Sequence, residues 1–341
     1  MQQIEITAGE AGQRFSKMLE RYLSEASKSF IYKMLRKKNI TLNGKRASGN
    51  EKLEAGDQVK LFLADETIAK FSRTEMIKKT GELDIIYEDD DILLINKPVG
   101  LLSQKAGPDD ISVVEYVISY LYASGQATPD GLRRFHPAVC NRLDRNTSGL
   151  IAAGKSITGL QEMGKMFHDR TLEKFYLCVV AGRITKAEYI KGYLHKDKTT
   201  NQVTVTAVEK SGSLPIETEY VPLAAGSRFS LLEVHLITGR AHQIRAHLSS
   251  IGHPVAGDYK YGSRPVNDRL KKIYGLKSQL LHSYRLELPS DCGGLPRLAG
   301  RRFIASPPLL FKKIVKEVID VNLELERTSG INSGGLHQSD K

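Results

Sequence analysis

Residues 141–150 read Asn-Arg-Leu-Asp-Arg-Asn-Thr-Ser-Gly-Leu and place one carboxylate, Asp144, between two arginines in a turn-forming stretch flanked by apolar runs. A carboxylate that acts as a nucleophile or general base must be ionised at neutral pH, and neighbouring guanidinium groups favour the ionised form. A solvated loop held by ion pairs has the same composition. Taken alone, the stretch is therefore compatible with a reacting carboxylate and with a structural salt bridge.

A second informative stretch, residues 238–248, reads Thr-Gly-Arg-Ala-His-Gln-Ile-Arg-Ala-His-Leu. Ile244 and Leu248 lie four positions apart, which predicts a helix that buries one face. Arg240 and Arg245 fall at its beginning, but a basic amphipathic helix is by itself unspecific. The two histidines are five positions apart, a spacing that does not put them squarely on one helical face, so they do not indicate a metal site.

The composition favours a polyanionic partner. The 341 residues include 50 Lys and Arg against 39 Asp and Glu, for a formal net charge of +11, which suits nucleic acid. Membrane binding is the competing interpretation, but no apolar run approaches the roughly 20 residues that span a bilayer, and the first residues lack a signal-peptide pattern. Three scattered cysteines predict neither a disulfide framework nor a zinc site. We therefore expect a cytoplasmic protein that holds no metal.

Residues 13–64 are predicted to form a small N-terminal α/β unit. Apolar residues at helical spacing begin at Phe15, and Ser27 can cap a second helix. Residues 40–45 read as a strand that ends in an Asn-Gly turn, and residues 58–63 read as another strand. The chain thus begins with a compact helix-turn-strand unit.

The rest of the chain divides by composition. Residues 65–82 are charged and are predicted to form a linker. Residues 83–325 are predicted to form the catalytic domain. The Gly/Ser-rich residues 326–341 are predicted to be a disordered tail. Short strands with interspersed helices, without regular βαβ alternation, indicate an α+β domain around a mixed or antiparallel sheet. Its helices are predicted at residues 111–122, 156–170, 241–251 and 307–324. Its strands are predicted at residues 85–88, 92–98, 175–180, 203–208, 217–223, 229–236 and 280–288.

Motifs along the catalytic domain, in the same order, resemble those of the RluA-type pseudouridine synthases. The two stretches quoted above are the specific matches, while residues 97–103 (Lys-Pro-Val-Gly) and 252–262 (Gly-Asp) are weak singly and read as structural. Residues 173–180 and the Leu-His-Ser at 281–283 follow the family pattern as well. One position departs from it, because Asn141 stands where that family usually has His.

The resemblance implies a pseudouridine synthase fold and an enzyme that isomerises uridine in RNA. It assigns Asp144 as the catalytic aspartate, Arg245 as the arginine paired with it, and Tyr176 as the residue beneath the uracil ring. Arg145 is expected to help keep the aspartate charged. The residues expected to contact the RNA or the base are Arg142, Arg145, Arg240 and Leu281. Since the reaction changes no oxidation state and adds no external group, we expect no cofactor and no metal.

The N-terminal unit resembles the small RNA-binding module named after ribosomal protein S-four. No acidic residue occurs between Glu25 and Glu51, and a one-sided basic run suits contact with phosphates. The side chains that we expect to contact RNA are Lys28, Arg36, Lys37, Lys38, Lys45 and Arg46. A plain dimerisation unit is the alternative.

The expected substrate is large-subunit (23S) ribosomal RNA, free or in a ribosome assembly intermediate, and the expected state is a monomer. Transfer RNA is an alternative, since relatives with the same active site act on it. A further alternative is a ribosome-binding or assembly protein that has lost activity, for which Asn141 is the only support. A glycosidase would need a second acid at a fixed separation from Asp144, and the sequence around it offers arginine instead.

Overall fold

The computed structural model describes residues 1–72, 80–197 and 202–323. The predicted tail, residues 326–341, and part of the predicted linker, residues 73–79, lie outside this description. Within it, the chain has the α+β architecture that the sequence predicts, with a small four-stranded sheet at the N-terminus and one large mixed sheet in the remainder.

The N-terminal sheet carries two helices, and its strands are antiparallel in the order β1-β4-β2-β3. Ser27 caps the second helix by accepting a hydrogen bond from the Phe30 amide at 3.3 Å. Asn43 and Gly44 both adopt positive φ, as the Asn-Gly turn predicts. The elements are β1 (Gln2–Glu5), α1 (Phe15–Tyr22), α2 (Lys28–Arg36), β2 (Ile40–Leu42), β3 (Lys45–Arg46) and β4 (Gln58–Leu61).

The structure extends this unit beyond residues 13–64 at both ends. Strand β1 precedes residue 13 and pairs with β4. The first part of the predicted linker is a helix, α3 (Asp65–Phe71), which buries Ile68 and packs Phe71 against the core of the unit. Seven residues with two core-facing apolar side chains are too few to reveal a helical period in a sequence.

The large sheet has the strand order β11-β10-β12-β13-β9-β14-β8-β6-β5, with β15 paired to β14 and β7 to β8. Its neighbours are antiparallel except β8 and β14, which run parallel. Every strand that the sequence predicts for the catalytic domain is present in this sheet. Strands β7, β8, β10 and β15 were not predicted. The strands are β5 (Ile85–Glu88), β6 (Ile92–Lys97), β7 (Ala138–Val139), β8 (Ser148–Gly154), β9 (Glu173–Ala181), β10 (Glu188–Lys196), β11 (Val203–Thr206), β12 (Leu214–Ala225), β13 (Phe229–His235), β14 (Leu281–Glu287) and β15 (Arg302–Ile304).

Helices cover the sheet and make its central strands buried on both faces. Tyr176 and Cys178 of β9 belong to one core cluster, and Leu177 and Val179 to another. The four predicted helices are present, although the last ends at Ile319; α5 and α8 were not predicted. The helices are α4 (Val113–Ala123), α5 (Pro129–Arg134), α6 (Ile157–Asp169), α7 (Gln243–Ser250), α8 (Arg264–Tyr274) and α9 (Leu309–Ile319).

Helix α5 connects the two sheets. The Arg133 guanidinium lies over the Tyr22 ring, 4.1 Å from its centroid. The Arg134 Nε atom lies 2.9 Å from the carboxylate of Glu10, which is buried. A stacked guanidinium and a shielded ion pair therefore dock the N-terminal unit onto the catalytic sheet.

Gly149 allows strands β8 and β14 to meet beside the Asp144 turn. Its φ is +108°, and an added Cβ would lie 2.1 Å from the carbonyl oxygen of Ser283 in β14. Both the backbone conformation and the space therefore require glycine at this position. The contact places the start of β14 next to the turn that carries Asp144.

We expect Gly149→Ala to destabilise the fold, by roughly 3 kcal/mol or more, because the backbone of β14 must move away. Urea unfolding at neutral pH measures the change. Gly164→Ala is the matched control, since an added Cβ meets nothing within 4 Å in helix α6, and alanine there is expected to be neutral or slightly stabilising. Equal stability of the two variants would contradict this account of the β8–β14 contact.

Candidate active site

The turn that carries Asp144 is fixed from its backbone. The preceding residue, Leu143, is buried and makes two hydrogen bonds with Ser103. The Leu143 amide donates to the Ser103 hydroxyl at 3.0 Å, and this hydroxyl donates to the Leu143 carbonyl at 2.8 Å. The Thr147 amide donates to the Asp144 carbonyl at 3.0 Å. These bonds direct the Asp144 side chain, 27% exposed, into a cavity of about 720 Å³.

Lys97 holds the same turn from beneath. Its fully buried ammonium donates to the carbonyls of Pro98, Leu101 and Arg145 at 2.8–3.0 Å. Burial lowers the pKa of Lys97 to about 8, although the Asp144 carboxylate favours the charged form. Lys97 thus ties the Lys-Pro turn to the residue after Asp144, consistent with the structural role inferred from the sequence.

Arg245 pairs with Asp144. Helix α7 places it so that its Nη1 atom donates to Asp144 Oδ2 at 2.7 Å. On its other edge, Nε and Nη2 donate to the two oxygens of Asp258 at 2.6 and 2.9 Å. Burial acts to lower the pKa of Arg245, but the hydrogen bonds and charges of the two carboxylates outweigh burial and raise it. The guanidinium therefore remains a cation that bridges two acids.

Asp258 is a residue of this ion-pair network that the sequence prediction did not assign to the site. The Gly-Asp motif was interpreted only as scaffold near the site. The Asp258 side chain is 1% exposed, and its Oδ1 also accepts the amides of Lys260 and Tyr261 at 2.9 and 3.2 Å. A bidentate pair fixes the plane of a guanidinium, so Asp258 determines where Arg245 directs its remaining donor. The Gly-Asp motif drew attention to Asp258, but its partner Arg245 is 13 positions away in the chain. The motif alone therefore did not reveal the pairing.

Tyr176 and Leu281 come from adjacent strands and both line the cavity, as the resemblance implies. Burial, more than the nearby Asp144 charge, raises the pKa of Tyr176 to about 12. Its hydroxyl is therefore protonated at neutral pH, and the group acts there as a phenol with a flat apolar ring. Leu281 is 5% exposed and belongs to the same core cluster.

His242 lies closer to the carboxylate than its sequence position indicated. Its Nε2 atom is 3.9 Å from Asp144 Oδ2, and its Nδ1 is 2.8 Å from the Tyr261 hydroxyl. Burial lowers the pKa of His242 against the pull of Asp144, which favours the neutral ring. His247, by contrast, is buried and bonded to Thr218, a structural role.

The three other predicted arginines have different surroundings. Arg142 and Arg240 line the cavity, and Arg142 is exposed. Within the described residues no ion pair joins Arg145 to Asp144, so the expectation that Arg145 helps to keep the aspartate charged stays a prediction. The Arg145 Nε atom instead donates to the Gly100 carbonyl at 3.0 Å, because the turn directs adjacent side chains to different sides. The contact with the carboxylate comes from Arg245.

Asn141 is engaged with strand β8. Its Oδ1 accepts the amide of Ala152 at 2.8 Å, and its Nδ2 donates to the carbonyl of Leu150 at 3.5 Å. The side chain thus extends the hydrogen bonding of a central strand. The Asp144–Arg245 pair is formed with asparagine at this position.

The basic residues of the N-terminal unit lie on its surface. Lys28, Lys37, Lys38 and Lys45 are exposed, as are Arg36 and Arg46. The two arginines line one open groove of about 690 Å³ together with Tyr32. This unit therefore presents a cationic surface, and its contact with RNA stays a prediction.

The described part of the chain contains neither a metal-binding cluster nor a helix that could span a membrane. Within residues 1–72, 80–197 and 202–323, no three His, Cys, Asp or Glu side chains are grouped so that they could hold a metal ion. None of the helices in these ranges combines the length and apolar character that crossing a bilayer requires.

We expect Asp258→Asn to lower the free energy of unfolding by about 3 kcal/mol, because it leaves a buried guanidinium half paired. Turnover of uridine should fall as well, since Arg245 loses the partner that orients it. Glu233→Gln is the control: it breaks another bidentate pair, with Arg285, at 3.0 and 3.2 Å, away from the cavity. If both variants retained wild-type turnover, Asp258 would have no orienting role.

Comparison with known proteins identifies the family. Residues 91–250 match the family described as RNA pseudouridylate synthase. Proteins named ribosomal large subunit pseudouridine synthase C are similar over most of their length. The one from Escherichia coli K12 is 30% identical over 295 residues, which cover 83% of this chain and 87% of the relative. The one from Vibrio parahaemolyticus is 29% identical over 297 residues, covering 84% and 88%.

Solved structures support the same fold. Human RNA pseudouridylate synthase domain containing 4 superimposes with a TM-score of 0.55 at 22% identity, covering 69% of this chain and 92% of that one. Human RNA pseudouridylate synthase domain containing 1 gives a TM-score of 0.50 at 24% identity, covering 62% and 80%. The identity to the bacterial relatives, together with the family match, establishes that the chain belongs to the RluA-type family of RNA pseudouridine synthases.

Proposed function

We propose that this chain converts uridine into pseudouridine in large-subunit ribosomal RNA, with Asp144 as the reacting carboxylate. The observation that carries the proposal is the Asp144 carboxylate facing the cavity while Arg245 binds one of its oxygens at 2.7 Å. The names of the bacterial relatives, ribosomal large subunit pseudouridine synthase C, support ribosomal RNA as the substrate.

The reaction exchanges one bond of the ribose for another. The bond between ribose C1′ and uracil N1 breaks, the base turns, and C1′ bonds to C5, which releases its proton while N1 gains one. Asp144 either attacks C1′ or removes a sugar proton, and both routes need an ionised carboxylate. Atoms and charge balance without an oxidant or external group, so the chemistry requires no cofactor or metal.

The base needs a pocket outside the RNA stack. Extruding a nucleotide costs a few kcal/mol, and stacking on an aromatic ring returns roughly 1–3 kcal/mol per base. We assign the Tyr176 ring as the surface beneath the uracil and Leu281 as the apolar side chain beside it. Arg142, exposed at the cavity, would fill the gap that the extruded base leaves.

The alternative of a glycosidase is disfavoured because the second carboxylate of the network, Asp258, is not accessible from the cavity. An acid-base pair of that kind faces the substrate from two sides. Asp258, the acid nearest in the network, is 1% exposed and lies behind the Arg245 guanidinium. It therefore has no access to a sugar in the cavity.

The alternative of an inactive assembly protein depended on Asn141. Its amide bonds the backbone of β8 and leaves the Asp144–Arg245 pair in place, which favours an active enzyme. Transfer RNA is disfavoured only by the names of the relatives. Both alternatives are outcomes of the experiment below.

The cationic N-terminal unit would supply backbone attraction to the RNA. The six lysines and arginines predicted to contact RNA form no ion pairs within the described residues, so their charge is available to phosphates. The docking of α5 onto Tyr22 and Glu10 holds this surface at a fixed position relative to the catalytic sheet. We propose that the protein acts as a monomer in the cytoplasm.

We expect the wild type to form pseudouridine in large-subunit ribosomal RNA transcribed in vitro, and Asp144→Asn to form none above background, because the amide can neither attack C1′ nor remove a sugar proton. Site-by-site mapping of pseudouridine measures the product, with unmodified transfer RNA in parallel. RNA binding by Asp144→Asn serves as the folding control. No product from the wild type on either RNA would favour the inactive protein, and product only on transfer RNA would replace the substrate.

We expect Arg36→Gln with Arg46→Gln to weaken RNA binding and to flatten its salt dependence, by about 0.7 in the slope for each phosphate that the variant no longer binds. Titration of RNA binding across a range of salt concentrations measures both quantities. Lys313→Gln with Lys316→Gln removes the same charge from helix α9 and should change neither. An unaltered slope in the arginine variant would count against RNA binding by this groove.

A further inference from the structure

Lys174 is a buried cation that the proposed chemistry does not use. It lies in strand β9, two positions before Tyr176, and is 8% exposed. Its backbone carbonyl accepts the amide of Leu236, so its main chain is committed to the sheet. Its side chain extends to the cavity that contains Asp144, where Nζ lies 3.9 Å from the position that a Cβ atom would take at Gly239.

The Lys174 ammonium has no anionic partner among the residues that the structure describes. Burial lowers its pKa, and the charge of Arg170 lowers it further. A buried cation without a counter-ion is costly unless something compensates it. The ammonium of Lys97, another buried lysine, is stabilised by hydrogen bonds to three carbonyls. Lys174 instead lines the open cavity, where a ligand could supply the compensating charge.

The cavity around Lys174 is strongly cationic. Among the residues that the structure describes, its lining includes one carboxylate, that of Asp144, and six Lys or Arg side chains: Arg142, Arg170, Lys174, Lys196, Arg240 and Arg245. Arg245 is already committed to its two acids. Arg240 follows Gly239 directly, and its buried Nε has no hydrogen-bond partner in the described part of the chain. Lys174 and Arg240 therefore bring two cationic side chains to the cavity beside the loop at residue 239.

We infer that Lys174, together with Arg240, forms an anion subsite that binds a backbone phosphodiester of the RNA beside the uridine in the cavity. The inference rests on the proposed function, since it concerns how that substrate is held. A phosphate supplies the missing counter-charge and several acceptors. An ammonium is a compact point charge without a plane to match a base edge, so a phosphate fits it better than a base does.

The consequence is a division of labour within one cavity. Asp144, held by Arg245 and Asp258, acts on the sugar, while Lys174 and Arg240 bind the backbone phosphate of the nucleotide. Phosphate contacts fix register and carry no base identity. Lys174 is then a substrate-binding residue whose removal weakens the grip on any RNA that enters.

The test compares Lys174→Met, which keeps the length of the buried stem without the charge, with Lys174→Arg and the charge-matched control Lys165→Met on the exposed face of α6. We expect Lys174→Met to bind the RNA about tenfold more weakly and to have a salt slope that is shallower by about 0.7. Lys174→Arg should recover most of both, and Lys165→Met should resemble the wild type. Thermal unfolding of all four proteins monitors the fold.

A second measurement locates the phosphate. A short stem-loop that the protein binds is made with one neutral methylphosphonate linkage at a time around the target uridine. One linkage should weaken binding by the wild type about tenfold and weaken binding by Lys174→Met much less, because that variant retains only the contact with Arg240.

Wild-type affinity and salt slope in Lys174→Met, or an equal loss at every linkage in both proteins, would overturn the subsite. Because affinity is measured without turnover, this result is separate from a failure of the wild type to form pseudouridine, which would refute the proposed function alone.

Discussion

The site depends on a single guanidinium held between two carboxylates. Asp258 is buried and fixes the plane of Arg245 through two hydrogen bonds, and Arg245 offers its remaining edge to Asp144 at 2.7 Å. Arg245 thereby places a positive charge in direct contact with the carboxylate that faces the cavity. The fold supplies this geometry by bringing helix α7 and the turn before β8 together, although they are 101 residues apart in the chain.

Much of this arrangement was accessible from the sequence because it resides in local patterns. The sequence predicted helices α4, α6, α7 and α9 of the catalytic domain, α7 from the spacing of Ile244 and Leu248, and it predicted most of the central strands, although not β8. The motif around Asp144 and that around Arg245 each located one half of the ion pair. The pairing itself came from a family resemblance, because no spacing rule relates positions so far apart.

What the sequence did not reveal depends on direction and on long-range contact. Arg145 adjoins Asp144 in the chain, yet its side chain lies on the Gly100 carbonyl, because adjacent residues in a turn point to different sides. Asp258 was interpreted as scaffold, and its role emerges only when its partner Arg245 is known. Lys174 was not singled out in the sequence, and only burial without a counter-ion among the described residues distinguishes it.

The most direct measurement is a crystal structure of Asp144→Asn bound to the RNA that the wild type modifies. The account predicts that one uridine lies outside the stack, with its ring against Tyr176 and its ribose C1′ within van der Waals contact of the residue 144 side chain, which is about 3.5 Å. A complex in which every uridine remains stacked, or in which the ribose lies away from residue 144, would contradict the claim that this carboxylate performs the reaction.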